Sequence, residues 1–320
     1  MDLARYPQVT SEAPYAFGPA LILSGSICAL ATPFCARDDA IDFDAFGRLI
    51  DYQLAGGTRA LVVAGSTGEA AALDDAEFSR LLEFAVARVD GRVPLLAGTG
   101  QSATRKTIAH TQRARVAGVD AALIAAPAYV RPTQEGMYHH FSEIAEHGGL
   151  PLVLYNVPSR TACDLLPETI ARLAQNGDIV GIKEAVSDPE RMIALLDMKG
   201  PRFAVLSGDD PTAARALLAG ADGVISVAAN VAPRWFATLC EAAIAGDAPL
   251  ADATDLRLTR LYALLGVEPN PIPLKWCLSE LGLGEAHVRL PLLSLSAIHQ
   301  AEGIEVLSRL GLVEAEPAVG

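Results

Sequence analysis

The residues of this 320-residue chain with the most chemical potential stand at the ends of short apolar runs. Foremost is Lys183, in Ile179-Val180-Gly181-Ile182-Lys183-Glu184-Ala185. An ammonium at the end of an apolar strand either escapes to water or is kept for chemistry. Burial lowers its pKa and yields a free amine able to attack a ketone carbonyl. The resulting iminium drains electrons from the adjacent carbon and leaves an enamine nucleophile. A purely structural lysine fits the same position, so its company matters. The run Gly65-Ser66-Thr67-Gly68-Glu69 combines two glycines with two hydroxyls. Such a turn can aim backbone N–H groups at a carboxylate beside a helix N-terminus, or it can be an ordinary capped turn. Tyr129 follows one run and Tyr155 ends another. Two tyrosines with a hydroxyl such as Ser66 between them can relay a proton, although a rim tyrosine also serves packing. Arg160 offers a fork for a substrate carboxylate, or a surface ion pair. Gly208 can leave room beside the lysine, and Ile225 can supply a backbone carbonyl or an apolar wall. Both equally suit turn and core.

The elements that must position these residues alternate. Short apolar, strand-like runs cover 26–32, 60–64, 93–97, 121–125, 152–155, 179–183, 203–207 and 223–227. Amphipathic helix-like segments cover 42–55, 74–89, 103–117, 134–147, 167–174, 189–198, 211–218 and 233–245. Start signals support them, notably Asp74 and the prolines Pro167, Pro189, Pro211 and Pro233, and Gly118, Gly148, Gly220 and Gly246 fall near the ends. Near-continuous apolar strands belong to parallel sheets covered on both faces. Eight βα units in roughly 250 residues predict an α/β fold, a TIM (β/α)8 barrel, with its active site at the C-terminal strand ends. The helix-prone segments 252–265, 273–281 and 295–310 predict a C-terminal helical region. The division expected is an N-terminal extension over 1–23, a catalytic barrel over 24–247 and helices over 248–320.

Composition narrows the function. Apolar residues make up 51% and charged residues 20%, enough for a large core. A net charge of −13 disfavours nucleic acid or an anionic membrane as the main partner, but not an anionic small substrate in a locally basic pocket. No apolar run approaches the ~18–20 residues of a membrane helix. The five cysteines, Cys28, Cys35, Cys163, Cys240 and Cys277, never form a CxxC pair. That spacing predicts unpaired thiols in a reducing cytoplasm rather than disulfides or a zinc site. The adjacent His139 and His140 are read as surface residues of a helix.

Taken in order, Gly65–Glu69, Tyr155–Thr161, Gly181–Ala185, Leu206–Asp210, Gly223–Pro233 and Glu268–Trp276 make the chain resemble the dihydrodipicolinate synthase/N-acetylneuraminate lyase family, over about residues 25–312. The resemblance implies a class I aldolase-type lyase that uses a pyruvate Schiff base on Lys183 and needs no metal or organic cofactor. It implies Tyr155 as general acid/base, a relay through Ser66 and Tyr129, and Tyr129 reaching across a tight dimer interface of a homotetramer. Thr67 would bind the pyruvate carboxylate, and Arg160 the carboxylate of L-aspartate 4-semialdehyde. Gly208 and Ile225 match positions lining the pyruvate site. Ser66 departs from the threonine usual in the synthase branch but keeps the hydroxyl. Arg160-Thr161 and the 270–275 segment favour that branch over the sialate lyases. In lysine-inhibited members the effector pocket carries polar groups at positions held here by Ala70, Phe78, Ser102, Lys106 and Ala128, and Lys106 would repel lysine's amino group. Weak or absent lysine feedback is therefore expected. Two alternatives stay open at this point: another pyruvate-dependent aldolase acting on a sugar acid, and a non-catalytic keto-acid-binding protein.

Overall fold

The structure, a computed structural model, describes residues 21–314. Eight parallel strands close into a barrel in sequence order: β1 (Gly25–Ala29), β2 (Ala60–Val63), β3 (Leu95–Gly98), β4 (Ala121–Ala125), β5 (Leu152–Asn156), β6 (Ile179–Glu184), β7 (Ala204–Ser207) and β8 (Gly223–Ser226). Ladders join β1 to both β2 and β8, so no edge is left open. The period-two alternation of strand side chains divides the core in two. Ile27, Val62, Leu96, Leu123, Val153, Leu206 and Ile225 fill the barrel interior. Their neighbours Cys28, Leu61, Leu95, Ile124, Leu154, Ile182 and Val224 face the helix layer.

The expected helices follow the strands: α1 (Phe43–Ala55), α2 (Asp75–Val89), α3 (Thr104–Ala117), α4 (Gln134–Gly148), α6 (Pro167–Leu173), α7 (Pro189–Leu196), α8 (Ala213–Leu218) and α9 (Pro233–Ile244). Asp74 closes a capping box with Glu77, satisfying orphan N–H groups at the start of α2. Pro211 opens a short 3-10 turn, Asp210–Thr212, and α8 begins only after it. Between β5 and α6 the chain forms one unforeseen helical turn, α5 (Pro158–Thr161), too short to leave a periodic signal. The C-terminal region comprises α10 (Ala248–Leu265), α11 (Ile272–Glu280) and α12 (Ala297–Arg309). Helix α10 starts four residues before the expected 252 because the Asp247 side chain caps it.

Residues 1–20 of the expected extension lie outside the described residues, while Leu23 is buried at the barrel interior. All five cysteines are free, and only Cys35 is not fully buried. The surface reading of the two histidines holds for His139 but not for His140, which is 5% exposed. Its position shares the α4 face of Met137, Phe141 and Ile144. There its Nδ1 meets the Thr104 hydroxyl at 2.9 Å, and burial pushes its pKa down to about 4.

Candidate active site

The alternation that fills the barrel also aims the chemistry. With Ile182 and Leu154 outward, Lys183 and Tyr155 must point inward, and the β5–β6 register places them side by side. Lys183 is 5% exposed, and its Nζ lies 4.3 Å from the centroid of the Tyr155 ring. It makes no hydrogen bond or ion pair among the described residues. Burial lowers its pKa to about 8, the nearby Asp210 carboxylate pulls upward, and Arg160 adds a smaller downward push. Burial likewise pushes the Tyr155 phenol up to about 12, against the opposing pull of Arg160. At neutral pH the pair is therefore a lysine that is still mostly ammonium but yields free amine far more readily than an ordinary lysine, beside a protonated phenol.

Gly208 is required by the lysine itself. A Cβ there would sit 2.7 Å from Lys183 Cε and 2.9 Å from Cγ. Ile225, fully buried, belongs to the same interior layer. Thr67, 4% exposed, sits in the turn after β2, where its hydroxyl accepts a hydrogen bond from Asn270 Nδ2 at 3.0 Å. With that acceptor position filled, the Thr67 O–H is free to donate to an anion. Ser66 beside it is exposed.

Arg160 extends from α5, exposed, with one guanidinium N–H 3.5 Å from the Asn270 carbonyl. The loop carrying it is tied down beneath. The Arg191 guanidinium donates to Glu184 at 2.7 Å and to Asp164 at 2.9 Å. Asn156 Nδ2 donates to the same two carboxylates. Tyr129 stands apart from the other tyrosine. It is 91% exposed with φ +74, and its backbone N–H donates to Thr161 O. Among the described residues its hydroxyl meets neither Ser66 nor Tyr155, so the expected relay is not closed within one copy. The structure thus gathers Lys183, Tyr155, Gly208, Ile225, Thr67 and Arg160 at one barrel mouth, and leaves Tyr129 projecting from it.

Three contributors were not singled out from the sequence. Asp210 accepts the Val227 and Ala228 N–H groups through Oδ2, while its Oδ1 is buried without a partner. Asn270 orients Thr67. Glu69 and Lys275 form a buried ion pair at 2.6 Å, with Arg289 N–H on the other Glu69 oxygen at 3.0 Å. Both members of that pair lie in motifs noted above, but 206 positions separate them and no spacing rule joins them. Among the described residues no cluster of three or more His, Cys, Asp or Glu side chains could hold a metal ion, and no helix is long and apolar enough to cross a membrane.

This fold is shared with known proteins. The family model described as the dihydrodipicolinate synthetase family matches residues 22–310. The 4-hydroxy-tetrahydrodipicolinate synthase of Xanthomonas campestris pv. campestris is 54% identical over 293 residues, covering 92% of this chain and 96% of that protein. The enzyme of the same name from Pseudomonas aeruginosa is 48% identical over 86% of this chain and 94% of its own. Among solved structures, the chloride-inhibited dihydrodipicolinate synthase of Acinetobacter baumannii in complex with pyruvate superposes with a TM-score of 0.88 at 41% identity. It covers 91% of this chain and 99% of that one.

Proposed function

This chain belongs to the dihydrodipicolinate synthetase family and is a lyase, and from that premise we infer that it is a 4-hydroxy-tetrahydrodipicolinate synthase. It condenses pyruvate with L-aspartate 4-semialdehyde in the route to diaminopimelate and lysine. The observation that carries this reading is the buried, unpaired Lys183 amine lying against Tyr155 in a mouth that also holds Thr67 and Arg160.

The Lys183 amine adds to the ketone carbon of pyruvate and water leaves, giving an iminium. Thr67 and the surrounding turn hold the pyruvate carboxylate. Loss of a methyl proton yields the enamine, whose carbon attacks the aldehyde while Arg160 grips the second substrate's carboxylate. Tyr155 gives and takes protons at the reacting oxygens. The substrate's own amine then closes on the former ketone carbon and releases Lys183. The iminium is itself the electron sink, so this sequence calls for no metal or organic cofactor. Ile225 and Gly208 shape the space around the iminium.

Ser66 passes protons onward, and Tyr129 from a second copy completes the relay. The projection of Tyr129, itself at positive φ, and of the half-exposed Val130 beside it supports such a contact. We read the assembly as a homotetramer of two tight dimers, and its compartment as the cytoplasm.

Control by lysine is weak or absent. Phe78 is buried and packed against the His110 ring, and Ser102 Oγ is already engaged with Ala128 O at 3.0 Å. Lys106 stands exposed beside them. Titrating lysine into the assay should leave the rate unchanged below millimolar concentration, and inhibition there would refute this point. The substrate assignment is tested by a coupled assay with pyruvate and L-aspartate 4-semialdehyde, run beside sialic acid and keto-deoxy sugar acids. Turnover confined to the sugar acids would replace it with a sister aldolase.

A further inference from the structure

At the opposite, N-terminal face of the barrel, the start of β1, the turn between α1 and β2 and the last turns of α9 enclose a recess of about 250 Å³. Its lining includes Ser26, Arg59, Ala237, Glu241 and Ile244. Since Ile27 and Ala29 point into the barrel, Ser26 points outward, toward α9. It is 1% exposed and its hydroxyl has no partner. A buried hydroxyl without a hydrogen bond is costly and calls for an explanation.

The two charges over it have water but, among the described residues, no protein group as partner. Arg59 and Glu241 are exposed, and neither side chain makes an ion pair or hydrogen bond among the described residues. The Arg59 stem lies across Gly25, where an added Cβ would come within 3.2 Å of its Cγ and where φ is +73. Glu241 sits in the C-terminal half of α9, where the helix's free carbonyls add negative potential. A lone anion in this recess would meet Glu241, and a lone cation would meet Arg59. A zwitterion satisfies both. The volume falls just below the roughly 300–1,000 Å³ of pockets for drug-sized ligands.

We propose that this recess is a second binding site, for a free α-amino acid with a small apolar side chain. The carboxylate meets Arg59, the ammonium meets Glu241 and the end of α9, Ser26 bonds one polar end, and the side chain rests on Ala237 and Ile244. No member of this site belongs to the catalytic mouth.

L-valine is the probe, added to the full-length protein carrying labelled isoleucine methyl groups, with Ile244→Val identifying the Ile244 signal. The Ile244 methyl should shift saturably with a Kd in the roughly millimolar range. It should not respond to isovalerate, which lacks the ammonium, or to isobutylamine, which lacks the carboxylate. Arg59→Ala and Glu241→Gln, both at exposed positions, should each weaken binding at least about tenfold while turnover and melting temperature stay unchanged. No movement of Ile244, an equal response to either half-molecule, or wild-type affinity in both variants would overturn the proposal.

Discussion

In the proposed reaction the chemistry rests on how the barrel treats one lysine. Burial holds the Lys183 ammonium well below its ordinary 10.5, at about 8. Schiff-base formation needs the free amine, so kcat/KM for pyruvate should rise about tenfold per pH unit below 8 and level off above it. A flat profile from pH 6 to 9 would contradict the assignment of the nucleophile. The same displacement costs stability. Lys183 holds its proton less tightly in the fold than in the unfolded chain, so stability increases as pH rises from about 8 to 10.5, and the penalty is complete below about 8. Lys183→Met should therefore abolish turnover yet stabilise the protein at pH 7 by about 1–3 kcal/mol, read by denaturant unfolding. Lys183 and Tyr155 stood out in the sequence because an ionisable group ending an apolar run contradicts its surroundings, whereas Arg160, exposed on a short turn, stood out only through the Tyr155–Thr161 motif. Asp210 was not, because a carboxylate in a glycine-containing turn looks solvated until the fold closes over it. The same holds for Asn270, whose bond to Thr67 crosses 203 positions.

At the scale of elements, the barrel was readable and its bracing was not. Short apolar runs and helix start and stop signals are set by neighbouring residues, so local pattern suffices. The link between the β2 turn and α11 depends on Glu69 and Lys275 meeting in three dimensions. Both side chains are nearly inaccessible, and Lys275 Nζ also lies 4.1 Å from the centre of the Phe34 ring. Removing one member of a buried pair leaves an uncompensated charge, at a cost of about 3–5 kcal/mol. Lys275→Met should therefore destabilise strongly and raise KM for pyruvate, because Glu69 ends the turn that holds Thr67. The double variant Glu69→Gln/Lys275→Met should recover part of the loss. Equal stability of the wild type and Lys275→Met would remove this bracing from the account. Strain is placed with the same bias. Among the described residues, seven non-glycine residues have positive φ, and all but Asp90 lie in loops that follow strands at the mouth.

The whole molecule enters through Tyr129, whose hydroxyl is exposed and bonded to neither Ser66 nor Tyr155 of its own copy. If a second copy supplies it, inactive subunits should complement. Co-expressed Lys183→Ala and Tyr129→Phe chains should form mixed dimers in which one mouth has both an intact lysine and an intact partner tyrosine. Random pairing in a two-fold assembly restores roughly a quarter of wild-type sites. Activity no higher than that of the Tyr129→Phe protein alone would confine the site to a single copy. The proposed reaction itself depends on one covalent bond. Incubation with pyruvate and sodium borohydride, followed by peptide mass spectrometry, should fix one reduced pyruvate on Lys183, with turnover lost in proportion. Full activity after that treatment, or an adduct on any other lysine with Lys183 unmodified, would contradict the account.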